Sequence, residues 1–344
     1  MRAPFRIGLI GLGNVGGALA RRLTEDAGSI EAAAGRPITV EAIAVRKREG
    51  RQAPAQLVEA DALVHRTGLD AVVEVIGGLE PAHTYIKAAL QAGREVITAN
   101  KQVIAKHGPA LARLGPLRFE ASVGSAIPIV ETLAETLGAD RITALTGILN
   151  GTTNFMLDVM TRGAGYDEAL AQAQGLGMAE ADPSADVDGH DAAAKLAILS
   201  MLAFRRRIDP DRIERVGVRR LTGASLTRAA RSGGVIRLIA AARCITSDLI
   251  ECDVRPRMVP GDSFFAQVSG GFNGITVDAH YAGTLTLSGA GAGPDAAASA
   301  VVADLIRSAR GARASAGEAL AQLAAQQPAH LQPLTKTQPF AAAE

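Results

Sequence analysis

The stretch FRIGLIGLGNVGGALARRLTE, starting at Phe5, constrains the fold more than any other, because an apolar strand runs through a glycine-rich loop straight into a helical pattern. Strand, tight loop and helix in that order begin a βαβ unit. Strand-like runs at ITVEAIAV, DAVVEVIG, REVITAN and LRFEASV, with the helix-like AHTYIKAALQAG between two of them, continue it. The alternation predicts an α/β fold with a doubly wound parallel sheet. Gly11, Gly13 and Gly16 have the spacing that a dinucleotide pyrophosphate needs: a tight turn, close backbone approach, and close helix–strand packing. A purely structural turn would share that spacing, but its place between strand and helix favours the dinucleotide. Asn14 and Val15 of the same loop, Ile76 and Gly77 after DAVVEV, and Ala99 in ITANK complete the expected cofactor-binding set.

At the end of ITVEAIAV, where an NAD-selective site would carry a carboxylate for the ribose 2′-hydroxyl, the sequence gives Arg46, Lys47 and Arg48. The cluster favours a 2′-phosphate, so NADP(H) is the preferred cofactor, with NAD(H) left open. A solvated charged loop is the competing reading.

After Pro128 the pattern changes to helices at IVETLAETLG, FMLDVMTRG and beyond Asp191, then to strand-like alternation around LIECDVRPRMV, FFAQVSG and GITVDAHYAGTLTL. The expected organisation is a dinucleotide-binding domain over 1–127 and a second, α+β substrate domain over 128–290. Residues 291–312 are expected to return to the first domain as a helix, and the alanine- and glutamine-rich 313–344 to form a weakly ordered tail.

With 36 basic against 35 acidic residues, the chain gives no reason to invoke nucleic acid or an anionic membrane. No apolar run approaches the ~18 residues of a membrane span, the N-terminus lacks a signal-peptide layout, and the expected location is the cytoplasm. Cys244 and Cys252 form neither a metal-binding spacing nor a disulfide framework.

The chemistry concentrates in EADPSADVDGHDAAAK, Glu180 to Lys195, which sets five carboxylates ahead of one lysine on an apolar segment. Lysine is scarce here; Lys47, Lys87, Lys101, Lys106, Lys195 and Lys336 are the only ones. Unlike arginine, a desolvated lysine can give or take a proton. Asp191 and Lys195, four apart, share one helix face. They form either a proton-transfer pair or an ordinary exposed ion pair, worth about 0.3–0.5 kcal/mol. A calcium loop opening at Ser184 fails, because Lys195 occupies the place of the bidentate glutamate. Asn150, Thr152 and Thr153 in NGTTN fit either a helix cap or substrate contact. His190 points away from its neighbour Asp191 and reads as a surface or supporting residue.

GILNGTTNFML at 147–157, LGMAEADPSADVDGHDAAAKLAIL at 176–199, ITANK at 97–101, FEASVGSAIPI at 119–129 and GAGAGPDAAASAVVADL at 289–305 together resemble the homoserine dehydrogenase family. The resemblance runs from the glycine loop to about residue 310. It implies NAD(P)-dependent interconversion of L-aspartate 4-semialdehyde and L-homoserine, on the way to threonine and methionine, in a homodimer. It also implies that Lys195 donates the proton, with Asp191 and Lys101 in the catalytic set. Glu180, Asp191, Asp186 and Thr152 are then expected at the amino-acid substrate, and Gly177, Gly293 and Lys101 near the cofactor. A sodium or potassium ion would sit on Glu120 and the carbonyls of Val123, Ser125 and Ile127. Two positions depart from the family pattern: Met178 replaces an aromatic residue, and Ser125-Ala126 a more glycine-rich pair. A regulatory C-terminal domain is not expected. The rival readings are a semialdehyde dehydrogenase working through a cysteine thioester, and a non-catalytic NADP sensor.

Overall fold

The computed structural model describes residues 2–48 and 52–335 and the backbone of 341–342. The chain forms two compact units: one holds everything through Thr136 together with Gly293–Gln326, the other Leu137–Ala292 together with the chain from Gln327 on.

In the first unit β1 (Phe5–Ile10) leads to α1 (Asn14–Glu25) and α2 (Ala27–Ala34). Then come β2 (Ile38–Ala44), β3 (Gln56–Val58), α3 (Ala60–Val64), β4 (Ala71–Glu74), α4 (Ala82–Gln91), β5 (Glu95–Thr98), α5 (Lys101–Ala112), β6 (Leu117–Arg118) and the single turn α6 (Ile129–Glu131). The six strands are parallel in the order β3-β2-β1-β4-β5-β6, the doubly wound arrangement read from the alternation. LRFEASV is strand only at Leu117–Arg118 and then turns into a 3-10 helix at Glu120–Ser122. The Glu120 carboxylate explains why this unit extends past the expected boundary at 127: it accepts hydrogen bonds from the Val130 and Glu131 amides at 2.9 and 3.0 Å. The start of α6 is thereby tied back to the first unit.

The second unit holds β7 (Ile142–Ile148), α7 (Gly151–Thr161), α8 (Tyr166–Gly175), α9 (Ser184–Val187), α10 (His190–Phe204), β8 (Glu214–Arg215), α11 (Gly223–Arg231), β9 (Gly234–Cys244), β10 (Leu249–Pro260), α12 (Phe264–Gln267), β11 (Phe272–Ala279) and β12 (Gly283–Ala290). Its mixed sheet follows the order β12-β11-β7-β9-β10. Within FFAQVSG, read above as strand-like, FFAQ is the short helix α12, because the Ser263 side chain accepts from the Ala266 amide and starts a helical turn. Helix α10 is apolar nearly all round and buried from Leu196 to Ala203, as such a helix must be.

The chain then re-enters the first unit. Helix α13 (Pro294–Ala309) packs Ala298, Val301, Val302 and Leu305 into the core formed by Leu9, Leu19, Leu23 and Ile43. The fully buried Arg118 donates to Glu95 at 2.6 Å and to the carbonyls of Ala312 and Arg313. Residues 313–335 are not the weakly ordered tail expected of them. They carry α14 (Ser315–Ala321), with Ala316, Gly317, Ala319 and Leu320 buried, and β13 (His330–Gln332), which runs parallel to β10; β14 (Ala341–Ala342) also pairs with β10. Small residues that look like low complexity in the sequence let α14 lie close to β6. A Cβ on Gly317 would overlap the Leu117 carbonyl oxygen.

Gly317→Ala is therefore expected to destabilise the protein by about 1–3 kcal/mol, the usual cost of overpacking against backbone. Thermal unfolding measures it, and a melting temperature equal to the parent's would show that α14 does not pack there.

Candidate active site

In the first unit the carboxyl ends of β1, β2 and β4 open onto a cleft of ≈1390 Å³, lined among others by Gly11, Gly13, Arg46, Lys47, Ile76 and Gly77. This is where a doubly wound sheet binds its ligand. Gly11 has φ +106°, reserved for glycine, and a Cβ on Gly16 would overlap the Gly11 carbonyl oxygen. Around a Cβ at Gly13, by contrast, there is open space. Gly13 caps α1 without a side-chain hydrogen bond, so the first amides of the helix point toward the cleft as an anion-binding end. These features fit a dinucleotide pyrophosphate. Asn14 is exposed and Val15 half-buried at the start of α1; Arg46 and Lys47 are exposed. Arg48 is drawn into an ion pair with Glu59, which also lines the cleft.

A buried carboxylate that the sequence did not single out organises the β4 and β5 ends. Glu74 accepts from the Ile76 amide at 2.8 Å and the Thr98 hydroxyl at 2.6 Å. The Thr98 hydroxyl in turn accepts from the Asn100 amide at 3.0 Å, and Asn100 Nδ2 donates to the Gly78 carbonyl at 2.7 Å. Burial pushes the Glu74 carboxyl above its ordinary value, and the hydrogen bonds from Thr98 and the Ile76 backbone oppose that shift. Asn100 also caps α5 through the Val103 amide, which fixes Lys101, half-buried, as the first residue of that helix, two residues after Ala99. Gly293 (φ +122°) caps α13 with open space around it.

The proposed cation ligands lie in the loop after the 3-10 helix. Val123 and Ile127 are buried, and Ser125 is left-handed with φ +48°. The Glu120 carboxylate is turned to the start of α6, with Arg307 3.7 Å away, and burial raises its pKa. Accepting these amides does not exhaust the acceptor capacity of the carboxylate, so Glu120 stays with Val123, Ser125 and Ile127 in the candidate ligand set.

In the second unit Lys195 and Asp191 meet at 2.8 Å, both 7% exposed. Removed from water, this is not the exposed ion pair that helical spacing alone allowed. Lys195 Nζ also donates to the Leu149 carbonyl at 2.7 Å. Asn150 caps α7 and sends Nδ2 to Asp191 at 2.9 Å and to Asp186 at 2.6 Å. The other acidic residues of the segment find separate partners. Asp182 receives the Ser184 hydroxyl and amide, which lower its pKa, and Arg219 grips Asp188 through two nitrogens at 2.6 and 3.0 Å. The Glu180 side chain is exposed, as is His190. Thr152 donates to the Met178 carbonyl at 2.9 Å, anchoring the loop that contains the left-handed Gly177. The structure thus gathers Lys195, Asp191, Asn150 and Asp186, while Glu180 stands on the surface of the loop.

Residues 128–306 match the family model described as homoserine dehydrogenase, and residues 11–116 match that of the homoserine dehydrogenase NAD binding domain. Homoserine dehydrogenase of Corynebacterium glutamicum is 42% identical over 319 residues, which cover 88% of this chain and 72% of the relative. Homoserine dehydrogenase of Mycobacterium tuberculosis is 40% identical over 320 residues, covering 89% and 73%. Among solved structures, a homoserine dehydrogenase from Thiobacillus denitrificans has a TM-score of 0.89 at 37% identity over 96% of this chain and 80% of that one. A hyperthermophilic archaeal homoserine dehydrogenase in complex with NADPH has a TM-score of 0.76 at 27% identity, over 89% and 98%.

The two loop glycines should separate in experiment. Gly13→Ala is expected to keep the parent melting temperature and weaken dinucleotide binding by about tenfold or more, since its methyl group would occupy only ligand space. Gly16→Ala should lower the melting temperature as well. Equal cofactor affinity in Gly13→Ala, read by fluorescence titration, would contradict this assignment of the cleft.

Proposed function

The chain belongs to the homoserine dehydrogenase family, and from that premise we propose that it interconverts L-aspartate 4-semialdehyde and L-homoserine, with Lys195 handling the proton. The observation that carries this reading is the buried Asp191–Lys195 pair, bonded at 2.8 Å and anchored on the Leu149 carbonyl. A nicotinamide cofactor, when bound, supplies or accepts the hydride. Negative charge then develops on the aldehyde oxygen, and an ammonium fixed beside it stabilises that charge and delivers the proton; in the reverse direction neutral Lys195 takes it back. Asp191 keeps the ammonium oriented. Asp186 and Glu180 offer carboxylates to the substrate ammonium, a group that simple aldehydes lack, and Thr152 anchors the loop leading to Glu180 through the Met178 carbonyl. Lys101, set at the start of α5, is read as supporting charge.

The preference for NADP(H) is supported by Arg46 and Lys47, exposed at the cleft where a 2′-phosphate would need cations. The same reading includes a sodium or potassium ion on Glu120 and the carbonyls of Val123, Ser125 and Ile127. It also includes a cytoplasmic homodimer, for which β12 offers an edge strand with Thr284, Thr286 and Ser288 exposed. Among the described residues no helix is long and apolar enough to cross a membrane.

The rival chemistries find little support. A thioester route needs a reactive thiolate, yet burial pushes the Cys252 thiol up to about 12, and Cys244 Sγ donates to the Thr246 carbonyl. A sensor has no use for an ammonium held out of water, whose desolvation has to be offset by Asp191 and the Leu149 carbonyl.

Lys195→Ala is expected to bind cofactor like the parent while losing about 10²–10⁴-fold in kcat for homoserine oxidation, followed by cofactor absorbance. Near-parent turnover would remove Lys195 from its role. Replacing Arg46 and Lys47 together with alanine should lower kcat/KM for NADP+ by about tenfold or more relative to NAD+, and an unchanged ratio would place the 2′-phosphate elsewhere.

A further inference from the structure

The link between β7 and α7 grips the Asp191–Lys195 pair from both sides. The Leu149 carbonyl accepts from Lys195 Nζ at 2.7 Å. The next residue, Asn150, donates from Nδ2 at 2.9 Å to Asp191 Oδ2, the same oxygen that lies 2.8 Å from Nζ. Carbonyl, ammonium, carboxylate and carboxamide close a ring. Asn150 is 4% exposed and the pair 7%, so water competes little for these bonds.

The two ends of the Asn150 side chain do different work. Oδ1 accepts from the Thr153 amide and hydroxyl, both at 2.8 Å, and so starts α7. Those donors fix the orientation of the amide, because a flipped group would turn its oxygen toward two carboxylates. Nδ2 therefore faces Asp191 and also Asp186, at 2.6 Å. Capping needs only an oxygen, which serine or aspartate supplies about as well. Donating a hydrogen bond to both of two neighbouring carboxylates needs the amide nitrogen.

We propose that Asn150 is a positioning residue for Lys195: its amide holds Asp191 against the ammonium and bridges Asp191 to Asp186, keeping the proton donor in one place. The proposal rests on the role given to Lys195 above. The groups facing Nζ include Asp191 from its own helix and the Leu149 carbonyl, with Asp186 from α9 joined to them through Asn150. That carbonyl is shared at 3.3 Å with Asn273 Nδ2 from β11. A carboxylate in place of the amide would add negative charge to this cluster, stabilise the ammonium and raise the pH at which Lys195 loses its proton.

Asn150→Asp and Asn150→Ser both keep the capping oxygen and remove the donor. Both are expected to keep α7 and bind NADPH like the parent, with a lower melting temperature in Asn150→Asp, whose carboxylate would lie against Asp186 and Asp191, and with kcat lowered about tenfold or more and KM moved less, as misplacement of a reacting group produces. In Asn150→Asp the limb of kcat for aldehyde reduction that requires protonated Lys195 should move to higher pH. The Lys195 Nζ titration, followed by NMR among the few lysines, should move with it. The titration needs no turnover, so a parent enzyme inactive on homoserine would count against the reaction while the titration still decides on Asn150. Parent-like kcat with an unmoved titration in Asn150→Asp overturns the proposal. So does an activity loss that tracks loss of helix and cofactor binding, which would reduce Asn150 to a cap.

Discussion

An ammonium group buried in a protein must be matched by fixed acceptors, and meeting that requirement at Lys195 shapes much of the second unit. Desolvating the charge costs several kcal/mol unless a carboxylate and further hydrogen bonds replace water. Asp191 one turn earlier supplies the carboxylate, and the Leu149 carbonyl supplies a second acceptor. That carbonyl is available because β7 ends at Ile148 and the chain turns into α7 three residues later, at Gly151. The turn is held in place by close backbone approach: a Cβ on Gly151 would come within 2.6 Å of the Gly271 carbonyl oxygen. Asn154 Nδ2, one turn on, donates to the carbonyls of Val268 and Gly270 at 3.1 Å. The geometry around the lysine is thus inherited from packing along α7 and the loop before β11.

The first unit solves a different electrostatic problem by leaving donors without side-chain partners. Gly13 offers α1 no cap, so the start of the helix stays open to an anion, while Asn100 does cap α5 and fixes Lys101 beside the end of β5. The contrast follows from residue type: glycine brings no acceptor, whereas asparagine brings one that binds the third amide. Glu74 joins the ends of β4 and β5, because one carboxylate holds both the Ile76 amide and the Thr98 hydroxyl.

The sequence made some of this legible and hid the rest for physical reasons. The glycine loop could be read because the absence of a Cβ is itself the signal, and the parallel sheet because strand and helix periods alternate. Lys195 and Asp191 could be paired because helical spacing is local. Asn150 could not be joined to Asp186 and Asp191, which lie 36 and 41 residues away, nor Glu74 to Thr98, 24 residues away, since no local period encodes such contacts. FFAQ misled because four residues are too few to show a period, and a serine cap decided the outcome. The region after 312 misled for the opposite reason: its alanines and Gly317 are the small residues that close packing against β6 requires.

The acidic segment shows how local composition is resolved by tertiary partners. Glu180, Asp182, Asp186, Asp188 and Asp191 look equivalent as a run of negative charge, yet each meets a different fate. Asp188 is neutralised by Arg219, Asp182 turns back on Ser184, and Glu180 stays in solvent. Asp186 and Asp191 share a donor, Asn150. Two carboxylates that meet through one carboxamide cannot be altered independently: a substrate ammonium that draws Asp186 away would change what Asn150 offers Asp191, and through it the hold on Lys195. On the roles proposed for Asp186 and Lys195, recognition of the amino group and readiness of the proton donor are linked through Asn150.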